Sequence, residues 1–242
     1  MNDLRNTHGE RLDHHFHPGA RHDTLVILGH GLTGNKDRPL LVALAEGLSA
    51  LGWPCLRVSF SGNGDSQGRF EDSNITKQIG DLKAVLDTVP DYVGIAYAGH
   101  SMGSATGVLA AVRDLRIQAL ISLAGMAHTA AFAEREFAGL VPGKDCIWED
   151  AAFPLSESLV DDMKTIDSIL PSLDKLIRPW LLIHGLDDDV VPVADSRDSH
   201  AAAKNRSELL EIPAAGHVFG EDSYPAIMAA IDSWLARCFG RG

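Results

Sequence analysis

Val93-Gly94-Ile95-Ala96-Tyr97-Ala98-Gly99-His100-Ser101-Met102-Gly103-Ser104-Ala105-Thr106-Gly107 is the stretch whose reading decides the fold. It begins as a short apolar run, passes through a Gly-x-Ser-x-Gly turn, and continues as a string of small residues. The run predicts a buried strand and the string predicts a helix that lies close on a sheet. A turn of this kind at a strand end forces its serine into a tight bend, with the hydroxyl exposed above the sheet. The flanking glycines lack Cβ, so strand and helix can approach across the bend. Ser101 is therefore the candidate nucleophile.

Apolar segments of two periods alternate around this motif. Strand-like runs are Leu25 to Leu28, Cys55 to Phe60, 93–98, Ile117 to Leu123, Trp180 to Ile183 and Leu209 to Ile212. Between them, Leu41, Leu44, Leu48 and Leu51 share one helical face, as do Ile75, Ile79, Leu82, Leu86 and Val89. A last helix is predicted from the stripe Ile227, Ile231, Trp234, Leu235 and Cys238, with Asp222, Ser223 and Pro225 as start signals. Such alternation predicts a mostly parallel sheet with helices on both faces and all the strand carboxyl ends along one edge. Residues 9–19 read as an edge strand or hairpin. From about 125 to 177 no strand pattern occurs. That gap exceeds what a crossover needs and predicts a cap inserted over the carboxyl edge of a single 1–242 domain.

Composition narrows the function classes. The chain has 242 residues, 45% hydrophobic and 22% charged, with a net charge of -12. This acidity disfavours nucleic acid and anionic membranes as partners. Three distant cysteines, Cys55, Cys146 and Cys238, suggest neither a disulfide framework nor a zinc site. No apolar stretch approaches the roughly 20 residues of a membrane span. Met1 to Arg5 leads into polar residues without a signal-like core, so the expected compartment is cytoplasmic.

A serine hydroxyl needs a base, and the base needs an orienting group. In this architecture the partners follow strand ends in the order serine, acid, histidine. His184-Gly185-Leu186-Asp187-Asp188-Asp189 follows one predicted strand, and Pro213-Ala214-Ala215-Gly216-His217 follows the next. His217 is the candidate base and Asp188 the candidate orienting acid, with Asp187 and Asp189 as alternatives. The acidic triplet also reads as a solvated turn, and it lacks the spacing of a calcium loop. The backbone N–H of Met102 and that of Leu32, in Gly29-His30-Gly31-Leu32-Thr33-Gly34, are the candidate oxyanion donors. His14-His15-Phe16-His17 has no matching ligand motif and reads as an edge strand. His100 and His184 read as structural hydrogen-bonders, and His30 as a brace of the loop.

With these segments in view, the chain resembles α/β-hydrolase-fold serine esterases, and more narrowly the small bacterial feruloyl (cinnamoyl) esterases. The resemblance rests on His30 to Asn35, on Ser61-Gly62-Asn63-Gly64-Asp65-Ser66 through Asp72, and on 99–103, 184–192 and 216–217. It implies an eight-stranded type of sheet and a compact cap between the sixth and seventh strands. It also implies that Trp148 stands near an aromatic pocket. Leu32, Met102 and Asn63 depart from the residues usual in those enzymes, and the first two flank the acyl pocket. The expected activity is hydrolysis of a small-molecule carboxylic ester through an acyl-enzyme, without metal or cofactor. Thioesterase, amidase or peptidase, and lactonase activities on the same residues are the alternatives. A non-catalytic binding protein is the rival from another class.

Overall fold

The computed structural model describes residues 3–240. Seven strands form one sheet: β1 (His14–His17), β2 (Thr24–Gly29), β3 (Cys55–Val58), β4 (Gly94–His100), β5 (Ile117–Leu123), β6 (Trp180–Gly185) and β7 (Ser207–Ile212). Their order is β1-β3-β2-β4-β5-β6-β7. Only β1 runs antiparallel, against β3. The α/β-hydrolase architecture is as expected, with one strand fewer among the described residues. Ahead of β1 the described residues make a single antiparallel bridge, Arg5 to Arg11, and no further strand. The long strandless stretch consequently falls between β5 and β6 of this sheet.

The central strands are apolar without interruption because both of their faces are covered. In β2, Leu25 and Ile27 pack into one core, and Val26 and Leu28 into the other. Ile95 and Tyr97 of β4 oppose Ala96 and Ala98 in the same way. One face carries α1 (Pro39–Ala50) and α7 (Tyr224–Phe239), and their Leu44, Leu48, Ile227 and Ile231 meet in its core. The other face carries α2 (Ile75–Leu86) and α3 (Met102–Ala111). Leu51 lies just past the end of α1 and is 54% exposed, so the predicted face stops one turn early.

Between β5 and β6 stand α4 (Thr129–Glu136) and α5 (Glu157–Ile166), with short 3-10 turns at Ile147–Glu149 and Leu170–Lys175. Phe132, Ile147, Leu159 and Met163 join the α2–α3 core, so this segment is packed onto the body of the molecule. After it come α6 (Val193–Ala203), β7 and α7. No helix of the described residues is long and apolar enough to cross a membrane.

The register brings the site together. Gly29 of β2 pairs with Gly99 of β4, and Gly29 also with Val58 of β3. His100 pairs with Leu123, Leu123 with Ile183, and Gly185 with Ile212. The loops that leave these carboxyl ends therefore emerge along one edge. The chain order reverses beside β2, whose neighbours are β3 and β4, and such a reversal opens a crevice at that edge.

Candidate active site

Ser101 occupies the turn between β4 and α3 with φ 54 and ψ -121, a conformation that L-residues rarely adopt. Strain of this kind costs about 1–3 kcal/mol and persists only where the surroundings impose it. Here the backbone is fixed on three sides. Ser101 N–H donates to Leu123 O at 2.9 Å, and Ser101 O accepts from Ser104 N–H at 3.0 Å and Met126 N–H at 3.3 Å. Every residue of α3 is buried, and Tyr97 Oη–H donates to Gly103 O at 3.0 Å, which ties the helix start to the strand before it.

The loop after β2 packs directly on this turn. A Cβ on Gly31 would stand 2.8 Å from the Ser101 Cβ and 3.3 Å from its Oγ, so only glycine fits. His30 is fully buried and holds that loop at both ends of its ring. Nδ1–H donates to Gly31 O at 2.8 Å, and Nε2 accepts from Phe60 N–H at 2.9 Å. Burial, aided by the Arg38 charge and only partly offset by the Gly31 carbonyl, lowers the His30 pKa to about 4. The ring is thus neutral and its tautomer fixed. Neither Leu32 N–H nor Met102 N–H donates to a protein acceptor among the described residues.

His217 lies in the loop after β7, and its Nδ1–H donates to Asp188 Oδ2 at 2.9 Å. The carboxylate can only accept, which leaves the lone pair of the imidazole on Nε2. The Asp188 side chain has no solvent exposure. Its Oδ1 accepts from Val190 N–H at 2.9 Å and Val191 N–H at 2.8 Å. Oδ2 also lies 3.1 Å from Nε2 of buried His184. Burial alone would raise the Asp188 pKa. The hydrogen bonds from His184, His217 and Val191, together with the charge of His217, outweigh it and hold the carboxyl well below the usual range. Of the acidic triplet, Asp188 is the residue that reaches His217; Asp187 and Asp189 are exposed.

These pieces surround one cavity of about 920 Å³, lined by Ser101, His217, Leu32, Trp148, Phe153 and Val190 among others. Its size falls in the ordinary range for small-molecule sites. Trp148 is 48% exposed and takes φ 51, and Glu149 after it takes φ 60, so a left-handed kink carries the indole to the cavity wall. Met102 is the first residue of α3 and its side chain is buried in the core, so only its backbone concerns the site.

His100 makes the structural hydrogen bond expected of it, while Arg38 escapes the sequence reading. His100 Nε2–H donates to His217 O at 2.9 Å, and the two rings lie 4.8 Å apart. Burial and the neighbouring His217 charge lower the His100 pKa to about 3. Arg38 also lines the cavity. Its place after the glycine-rich loop was the one available signal. The histidine pair on the edge strand has structural employment instead: the His15 and His17 rings meet edge to face at 4.7 Å, and His17 Nε2 accepts from Arg57 Nε–H at 2.9 Å.

Known proteins share the fold. The chain is 26% identical to Est1E from Butyrivibrio proteoclasticus, solved with ferulic acid bound, with a TM-score of 0.84 and all of both chains covered. It is 28% identical over 178 residues to human palmitoyl-protein thioesterase ABHD10, mitochondrial. That match takes in 69% of this chain and 58% of the human protein's length. ABHD10 from mouse superposes with a TM-score of 0.82 at 20% identity, over 98% of each chain, which speaks for the fold. The profile of the alpha/beta hydrolase fold matches residues 24–166, from β2 through the serine turn to the end of α5. With a strained serine at the end of a central strand and that match over more than half its length, this chain belongs to the α/β-hydrolase fold family.

Proposed function

We propose that this protein is a serine hydrolase that cleaves small-molecule carboxylic esters through an acyl-enzyme. The observation that carries the reading is the Asp188–His217 hydrogen bond, with His217 and strained Ser101 lining one cavity. Ser101 gives its proton to His217 Nε2 as Oγ bonds to the ester carbonyl carbon. The N–H groups of Leu32 and Met102, which have no protein acceptor among the described residues, hold the oxyanion that forms. When the C–O bond breaks, His217 returns the proton to the leaving oxygen. Water, deprotonated by His217, then adds to the acyl carbon, and His217 passes that proton to Ser101 Oγ as the acyl C–Oγ bond breaks and the acid is released. This chemistry needs no metal or cofactor.

Residues from about 125 to 177 act as the cap of a single domain in this reading, and Trp148 and Phe153 bring its aromatic surface to the acyl group. A thioester substrate is the second reading, favoured by the 28% identity to a protein named as a palmitoyl-protein thioesterase. The same residues would serve both, because the leaving group departs after the same acyl transfer. The test is hydrolysis of p-nitrophenyl butyrate and of a butyryl thioester by the native protein and by Ser101→Ala and His217→Ala. Loss of turnover on the order of 10⁴ in both variants is expected. Near-native turnover in both would overturn the assignment, and the native preference between the two substrates separates the readings.

A further inference from the structure

The cavity has two sides of different chemistry. Leu32, Phe153 and Val190 pack against the core on the α2–α3 face of the sheet. Leu40, Leu41 and Tyr224 belong to the core on the α1–α7 face. All six line the cavity, so it straddles the sheet edge with one wall from each face. The carboxylates that line it, Asp150 and Asp189, sit on the segments that supply Phe153 and Val190. Arg38 immediately precedes α1, on the other wall.

Arg38 is held where it stands and left without a counterion. Its Nη2–H donates to Thr33 O at 2.8 Å, and Thr33 itself takes φ 55 in the loop that packs on Ser101. No carboxylate lies within ion-pair reach of Arg38 among the described residues. Lys36, two residues before it, is paired with Asp13 and Asp37, and Arg57 with Asp37. In a chain with 33 acidic and 21 basic residues, Arg38 is an exposed guanidinium at the cavity with no carboxylate on it among the described residues, open to an anion that enters. The start of α1 adds to the same potential, since its first turn has no side-chain cap and no acidic residue. The charge is also felt at the centre of the site, where it helps keep the His30 and His100 rings neutral.

We propose that Arg38 selects substrates whose leaving group carries an anion, a carboxylate or a phosphate, bound on the α1 side while the acyl group lies against Trp148 and Phe153. This rests on the acyl-transfer reading above and adds the substrate class to it. A planar fork of donors suits both oxyanions. The two aspartates on the opposite wall disfavour an anion on the acyl side, so the preference has a direction.

The test compares 4-carboxyphenyl butyrate with its neutral isostere 4-carbamoylphenyl butyrate, at low ionic strength, as a ratio of kcat/KM values. The native enzyme is expected to favour the carboxylate by about fivefold or more. Arg38→Gln should bring the ratio near one, and Arg38→Lys should retain most of it. Loosening of the Thr33 loop would slow both esters alike and cancel in the ratio. A phosphate-bearing phenyl butyrate, compared in the same way, separates the two anions by which gives the larger ratio. A native ratio within about twofold of one, or a ratio unmoved by Arg38→Gln, would overturn the role of Arg38 and leave ester hydrolysis standing. Absence of any Ser101-dependent hydrolysis would overturn the acyl-transfer reading instead.

Discussion

His100, the residue before the strained serine, donates from Nε2 to the backbone carbonyl of His217 at 2.9 Å. The candidate nucleophile and the candidate base come from loops more than a hundred residues apart, and this hydrogen bond fixes one against the other. His217 is thus held twice, by its ring at Asp188 and by its carbonyl at His100. Replacing His100 with Phe keeps a ring beside His217 but removes the donor. The expected result is a fall in kcat of roughly tenfold, since small misplacements of a base are costly. KM should change little, and stability should drop by about 1 kcal/mol for one lost hydrogen bond. Steady-state kinetics with a denaturation curve checks this; an unchanged kcat would remove the positioning role.

Asp188→Asn places an amide where four donors converge. An amide oxygen can satisfy either the Val190 and Val191 N–H groups or the histidines, but not both sets. If the NH₂ faces His217, the imidazole must turn its lone pair inward and lose its function as a base toward Ser101. A fall in kcat of about 10³–10⁴ is expected, the scale known for a wrong tautomer. Asp187→Asn and Asp189→Asn change exposed groups and should stay within about twofold of native on neutral esters. Equal tolerance at all three positions would move the orienting acid elsewhere.

Stability should fall as the solution is made mildly acidic, with His30 as one cause. Its folded pKa of about 4 lies below the ordinary histidine value near 6.5. Between those values the unfolded chain holds more protons than the native one, so stability drops as pH decreases through that window. Above about pH 6.5 the full contribution is present; below about 4 the native ring protonates too and the slope ends. At pH 5 the loss is about 2 kcal/mol from this group. Asp188 does not act in this window, because its depressed pKa means its contribution is lost only at lower pH. Urea titrations at pH 7.5, 6 and 5 should show a shallower dependence in His30→Gln than in the native protein. Parallel slopes would exclude His30 as a source.

What the sequence discloses follows from how local each feature is. The apolar runs that predict the strands are local, whereas the pairing of Gly29 with Gly99 depends on a strand order and register that no single run carries. Ser101 and His217 stand at strand ends, where a motif and a chain order suffice to single them out. Asp188 could not be separated from Asp187 and Asp189, because the choice depends on which carboxylate turns inward under Val190 and Val191. The residues between β5 and β6 show no strand period because they form two helices joined by irregular backbone, with left-handed Trp148, Glu149 and Asp167. The partner of His100 and the isolation of Arg38 are relations across the fold, which the neighbouring sequence does not specify.

Trp148 offers the sharpest test of what faces the acyl group. Its indole stands at the cavity wall, half exposed, on a residue held at φ 51. Phe153 lines the same wall and packs against Phe70 at 5.1 Å between ring centroids. An indole that covers an acyl chain contributes in proportion to the apolar area it shields, so a longer or aromatic acyl group should feel its removal more than acetyl does. Trp148→Ala is therefore expected to lower kcat/KM for p-nitrophenyl octanoate by about tenfold and for the acetate by no more than about twofold. Alanine and tryptophan tolerate the left-handed backbone equally poorly, so a collapse of the kink would show as an equal loss on both esters. Trp148→Phe separates the two cases, because it keeps much of the apolar cover and should restore the octanoate rate more than the acetate rate. An octanoate-to-acetate ratio that does not move in Trp148→Ala would take the indole out of the acyl site and leave the wall to Phe153.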